Sequence, residues 1–225
     1  MKPWQMSLEA ALGAEDAPAV LNRDLIARFS RTSRAGDPVP VSSLTHWLKA
    51  ARARGKLQPV VAGLYINRFR ARPGSLEDAA HWLKVDAILS LNTVLGDAGV
   101  LNNPSHIVTA VVPIDPSAPR PKLGRMPTRA GMLQFFGLPR RILEAGDPED
   151  RLDSSVVQDH VRATPEKALL DWLYLGLSPR SRRNSPPRED IDLSLLDRAR
   201  LKRLARAMGL DEALAAWMAP VGRVS

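Results

Sequence analysis

Between positions 41 and 67 the apolar residues recur first with the period of a helix and then with that of strands. In VSSLTHWLKAARARGKLQPVVAGLYIN, Leu44, Leu48 and Ala51 repeat at three- to four-residue spacing beside Trp47, which predicts a helix with one apolar face. Its other face carries His46, Lys49, Arg52 and, at the end, Arg54. Ser42 and Ser43 stand where a hydroxyl can accept the free N–H groups of a first turn. Gly55 supplies the left-handed residue that ends such a helix. Residues 57–61 and 64–68 are short β-type runs, and Ala62-Gly63 supplies the turn between them. A helix with a cationic face followed by a tight hairpin is the pattern of a winged helix-turn-helix, in which the helix reads a groove and the wing touches phosphates.

The surrounding pattern predicts two domains, 1–75 and 76–225. Residues 4–12 and 22–29 read as short amphipathic helices, the second capped by Asn22 with Leu25, Ile26 and Phe29 on one face. Residues 30–40 form a turn-rich link, and Pro73-Gly74 marks the boundary. Beyond it, 76–91 reads as a helix, 93–98 as a second, ended by Gly99, and the β-branched run 107–112 as a strand. Residues 114–127 hold four prolines and read as loop. Residues 129–136 and 156–162 read as strands, and 165–175 as a helix capped by Thr164, with Pro165 at its first position and Glu166 in its first turn. An exposed basic loop over 178–189 and two helices, 194–208 and 211–218, split by Gly209, complete the chain. The fold class is therefore α+β: an N-terminal winged helix-turn-helix followed by a mixed α/β domain with a small sheet.

Charge sharpens this reading. The net charge of +8 over 225 residues is not spread evenly. Residues 1–75 hold twelve Lys and Arg against five Asp and Glu, while the remainder holds twenty against nineteen. Cations concentrated beside a groove-reading helix give salt-sensitive affinity for phosphates through counterion release. Ser42, Ser43, Thr45 and His46 open the helix and are placed for base edges or the nearest phosphates. Lys49, Arg52, Arg54 and Lys56 line its exposed side, Gly63 lets the wing approach the minor groove, and Arg68 or Arg70 flank it. Tyr65 packs under the hairpin.

Other chemistry is sparse. With no cysteine, the chain has no disulfide, thiol nucleophile or thiolate metal site. His46, His81, His106 and His160 form no ligand pair at helical spacing, and no phosphate-loop, dinucleotide, zinc-protease or serine-hydrolase motif occurs. Asp147, Glu149, Asp150 and Asp153 read as a solvated acidic loop. Lys167 and Asp171 read as at most an i,i+4 pair worth a few tenths of a kcal/mol. Trp47, Trp82, Trp172 and Trp217 read as core or interface residues, and Arg180, Arg182 and Arg183 as a solvated cluster or an extra phosphate contact. No nucleophile, base and oxyanion site assemble, so the expectation is a protein that is not an enzyme, needs no cofactor or metal, and works in the cytoplasm. The N-terminus has early acidic residues and no apolar core, unlike a secretory signal, and no run is long enough for a membrane span.

Two segments resemble the AbiEi-type antitoxin family. The first is RGKLQPVVAGLYI, whose Gly55, Leu57, Gly63 and Tyr65 match the family's wing. The second is LSLNTVLGDAGVLNN with the IVTAVV strand, followed by Ala163, Thr164, Pro165, Glu166, Lys167, Ala168, Leu169, Leu170 and Asp171. The likeness spans roughly residues 40–175 and leaves the last fifty unmatched. It implies a bacterial antitoxin of a type IV toxin–antitoxin or phage-defence module. The winged helix of such a protein binds inverted repeats in its own promoter, and the protein counters a nucleotidyltransferase-like toxin encoded next door. The residues alone leave open a stand-alone winged-helix regulator whose second domain dimerises or senses a ligand, and, with least support, an enzyme acting on nucleic acid.

Overall fold

Local signals account for most of the first elements in a computed structural model describing residues 2–32, 39–115, 117–119, 121–154, 160–179, 181 and 183–219. Helix α1 (Pro3–Gly13) begins on a proline and buries Trp4, Leu8 and Leu12, one residue per turn. Strand β1 (Val20–Asn22) leads into α2 (Arg23–Thr32), and Asn22 caps it by accepting the Leu25 N–H at 2.8 Å. Residues 33–38 of the expected link lie outside the described residues. Helix α3 (Val41–Ala53) buries Trp47, Leu48 and Ala51, as its period predicts. Its N-cap is Pro40 rather than a serine, because the fixed proline backbone already turns the Pro40 carbonyl onto the Leu44 N–H at 3.0 Å. Gly55 (φ 70°) ends the helix, and Gly63 (φ 80°) turns β2 (Leu57–Val61) into β3 (Leu64–Asn67). The sheet order is β1-β3-β2, with both pairings antiparallel.

One core joins Trp4, Leu8, Leu12, Leu21, Ile26, Trp47, Leu48, Ala51, Leu57 and Tyr65, with Phe69 stacked on Trp47 at 5.9 Å. Buried Asn67 ties its edge: its amide donates to the Leu12 and Pro18 carbonyls, and its side-chain oxygen accepts from Phe69 N–H. A second cluster, Val20, Val60, Leu64, Ile66 and Ala79, takes in Leu76, Leu83 and Ala130. The chain divides into a unit of residues 1–83 with 127–131 and a unit of 84–126 with 132–225. The expected boundary at residue 75 thus falls inside the first unit. Gly74 is buried there, and a Cβ on it would stand 2.4 Å from the Ala19 carbonyl oxygen.

The helix expected over 76–91 is instead a 3-10 turn, Glu77–Ala79, and a short α4 (Ala80–Leu83). Asp86 adopts positive φ (57°), which no helix tolerates, and the next apolar pair forms β4 (Ile88–Leu89). Trp82, expected in a core or an interface, is 38% exposed. Helix α5 (Asn92–Asp97) and β5 (Val108–Ile114) follow, with Gly99 (φ 71°) after the helix. The proline-rich stretch expected as loop contains β6 (Gly124–Thr128), paired with β7 (Gly131–Pro139). Pro127 is accommodated because β6 is an edge strand. Short α6 (Arg140–Leu143) and α7 (Pro148–Arg151) precede β8 (Val161–Arg162); 155–159 of that expected strand lie outside the described residues. The sheet order is β6-β7-β5-β4-β8, with β5–β7 and β4–β8 parallel and β4–β5 antiparallel.

Thr164 caps α8 (Pro165–Leu177), as expected, by accepting the Lys167 N–H. Nine of its residues are buried, including Glu166, Lys167 and Asp171. Lys167 and Asp171 are therefore an enclosed ion pair, with side chains 2% and 1% exposed, rather than the weak i,i+4 pair that spacing alone suggests. Asp171 also accepts the Ser90 hydroxyl at 2.8 Å, so the segment after β4 and helix α8 meet in one polar network. That network continues through Thr109, which donates to the Ser90 carbonyl at 2.6 Å and shares hydrogen bonds with Thr93. It holds Leu91 at positive φ (61°), a costly geometry for a branched side chain. Burial lifts the Asp171 carboxyl above the ordinary carboxylate range despite the Lys167 and Ser90 contacts that lower it.

The closing helices are α9 (Arg198–Met208) and α10 (Asp211–Met218), with Gly209 (φ 68°) between them. The first starts four residues later than expected, because Asp197 caps it by accepting the Ala199 and Arg200 N–H groups. Asp150 does not sit in a solvated acidic loop: it is buried and takes both Arg203 (2.9 and 2.6 Å) and Arg200 (3.5 Å). The Arg203 hydrogen bonds, outweighing burial, hold its carboxyl below the ordinary carboxylate value. A depressed acid stabilises the fold above its unfolded value and ceases to do so as pH falls through its folded one. Asp150→Asn should therefore lower the melting temperature at pH 7 and leave it nearly unchanged near pH 2. Equal losses at both pH values in a thermal melt would reject the ion-pair account.

Candidate nucleic-acid interface

The exposed side of α3 presents Thr45, Lys49 and Arg52 at i, i+4 and i+7, so they form one stripe along the helix. Ser42 and His46 are also exposed, near its start, and Ser43 is half-buried. Thr45, Lys49 and Arg52 line a hollow of about 570 Å³ that also reaches Arg23, Pro59 and Tyr65. Arg52, Arg23, Pro59 and Tyr65 continue into an adjoining hollow of about 260 Å³, which adds Gly63 and Arg129. No aspartate or glutamate lines either. Lys49, Arg52, Arg23 and Arg129 make no ion pair among the described residues, so the groove holds uncompensated positive charge. Tyr65 is buried beneath the hairpin, as expected.

Three expected contacts are engaged elsewhere. Arg54 pairs with Glu9 at 2.5 Å, and the same carboxylate accepts the Trp47 indole N–H at 3.0 Å. Burial alone would raise the Glu9 carboxyl; hydrogen bonds from Arg54 and Trp47 more than offset it and hold it below the ordinary value. Arg54 fastens α3 to α1 and is poorly placed to reach a ligand. Arg68 is spent on Gln58, with bonds of 3.2 and 2.6 Å to its side-chain oxygen. Arg70 donates to the Glu15 carbonyl at 3.3 Å. Lys56 stays exposed just before β2. Gly63 sits at the hairpin turn, and a Cβ there would lie 3.9 Å from Arg23 Cδ.

Sequence reasoning missed Arg23 and Arg129. Arg23 opens α2 without any feature that sets it apart from the helix's other arginines. Arg129 comes from the turn between β6 and β7, far along the chain, and only the tertiary fold brings it to the groove. Of the other basic cluster only Arg183 is among the described residues, and its side chain is not solvated. Arg180 and Arg182 lie outside the described residues, and Arg183 stacks between the Phe136 and Trp172 rings, 4.8 and 4.2 Å from their centroids. It also donates to the Asn92 side chain. Burial pulls its guanidinium down to about 10, which still leaves it charged at neutral pH.

No group of three or more His, Cys, Asp or Glu among the described residues could hold a metal ion. Among the same residues, no helix is long and apolar enough to cross a membrane.

No protein-family model and no curated protein matches the chain. Among solved structures it resembles the RV2827C protein from Mycobacterium tuberculosis, with a TM-score of 0.56 and 17% identity over 95% of this chain and 78% of that one. At that identity the likeness speaks to the fold alone.

Proposed function

We propose that this protein is a DNA-binding antitoxin that represses its own operon. In this reading the first unit works as a winged helix: α3 enters the major groove, and the β2–β3 hairpin is the wing. The observation that carries the reading is the stripe of Thr45, Lys49 and Arg52 beside a groove of unpaired arginines at the hairpin turn. Such a surface attracts the phosphate backbone, and the helix start carries the hydroxyls and imidazole that reach base edges. Ser42, Thr45 and His46 are the candidate base readers, with Lys49, Arg52 and Lys56 on guanine or phosphate.

The antitoxin half of the proposal rests on the likeness in the wing and in the ATPEKALLD segment. Its partner would be a nucleotidyltransferase-like toxin encoded beside it. A gel-shift titration of the protein on its own upstream DNA, with competitor DNA and at two salt concentrations, tests the repressor half. A specific, salt-sensitive shift of a fragment holding an inverted repeat is the expected result. Binding that does not distinguish this fragment from competitor would reject operator recognition. Co-expression with the neighbouring gene tests the antitoxin half, which fails if the neighbour's toxicity is not relieved.

A further inference from the structure

We infer that Arg23, Arg52 and Arg129 form a clamp for a backbone phosphate of bound duplex DNA, set beside the reading helix. The inference rests on the DNA-binding reading above and adds to it a residue from far along the chain. Arg23 comes from the start of α2, Arg52 from the end of α3, and Arg129 from the β6–β7 turn. These three arginines, from three separate elements, line one hollow of about 260 Å³ with no acidic residue in its lining. Like charges gathered without a counterion repel one another, and an anion relieves that repulsion. The guanidinium fork matches the oxygens of a phosphate better than a point charge does.

Arg129 is held in place independently of any ligand. Its backbone N–H donates to the Val60 carbonyl of β2 at 3.0 Å. The Thr128 hydroxyl donates to the Gly131 carbonyl at 2.8 Å and accepts the Ala130 N–H at 3.1 Å, so the turn is closed by its own side chain. Ala130 packs into the Val20–Val60–Ile66 cluster. The side chain of Arg129 itself is exposed, free to meet a ligand.

The phosphate belongs to a polymer because the hollow shares Arg23, Arg52 and Tyr65 with the one under the α3 stripe. A nucleotide whose phosphate lies in the clamp thus continues toward Thr45 and Lys49. The two hollows form an open trough, suited to a backbone that runs through it rather than to a small anion that must be enclosed.

The test uses the full chain with its own upstream duplex and a random duplex of equal length, titrated over a salt series. Arg129→Ala should weaken binding to both duplexes by the same factor. Loss of one phosphate contact should flatten the dependence of log K on log salt by about 0.9, equivalent to roughly eightfold in affinity at about 0.1 M salt. Arg23→Ala should behave alike, and Arg129→Lys should keep most of the slope. Thermal melts establish that the variants are folded. If the wild type binds duplex with a salt slope that Arg129→Ala leaves unchanged, the clamp is wrong and the DNA reading stands. If the wild type binds no duplex, the DNA reading itself fails and takes the clamp with it. Stabilisation of the wild type by inorganic pyrophosphate at matched ionic strength, lost in Arg129→Ala while DNA affinity is unchanged, would reassign the groove to a free anion and overturn the inference.

Discussion

Replacing Lys167 by methionine should cost about 3–5 kcal/mol of folding stability, the largest loss expected of any single substitution in the second unit. Methionine fills a similar volume, so the loss is electrostatic rather than a cavity effect. It leaves the Asp171 carboxylate enclosed, with the Ser90 hydroxyl as its remaining partner. The carboxyl already sits above the ordinary carboxylate range because it is buried, and without the ammonium it rises further. A raised acid stabilises the fold below its unfolded value and loses that contribution as pH rises through its folded one. The deficit of Lys167→Met should therefore be greatest at neutral pH and shrink toward pH 4. Chemical denaturation at the two pH values measures it. The double variant Lys167→Met/Asp171→Leu should recover most of the loss, since an apolar pair of similar volume removes the stranded charge. A single variant as stable as the wild type at pH 7 would show that the pair contributes nothing.

The second large effect concerns Arg52. It is shared by both hollows and makes no ion pair among the described residues. Arg52→Ala should reduce affinity for upstream DNA roughly ten- to hundredfold and flatten the salt dependence by about one. A loss confined to the operator assigns Arg52 to a base, whereas equal losses on operator and random duplex assign it to the backbone. Arg54→Ala is the informative contrast. One turn or less away, it is tied to Glu9, so its removal should loosen the α1–α3 contact while leaving the salt slope close to that of the wild type. Operator binding unaffected by Arg52→Ala would mean that the exposed stripe of α3 does not read DNA.

These contrasts follow the divide between what was legible in the sequence and what was not. The α3–β2–β3 segment was readable because every signal in it is local: the apolar spacing of Trp47, Leu48 and Ala51, the left-handed glycines at 55 and 63, and the short runs between them. Thr164-Pro165-Glu166 announced α8 for the same reason. Contacts between distant residues were not readable. Arg54 looks like a member of the cationic face until Glu9, 45 residues earlier, is placed beside it. Lys167 and Asp171 have the spacing of an ordinary helical pair, and only the packing of other elements against α8 encloses them. The stretch 76–91 has enough alanine and leucine for a helix, but the positive φ at Asp86 breaks it, and Leu89 is needed in the sheet. Arg129 carries no local signal at all, since its partner strand lies earlier in the chain by more than half a hundred residues.

The first unit is also not a single stretch of polypeptide: the chain leaves it after Leu83, returns for residues 127–131, and leaves again. A gene fragment ending at codon 83 would encode α3 and the hairpin without Ala130, which packs in the second cluster, and without Arg129. Recombination that exchanges N-terminal segments between related genes would thus produce hybrids with a gap in the core and an incomplete basic groove. Residues 127–131 thus make the first unit depend on a piece of chain that lies inside the sequence of the second.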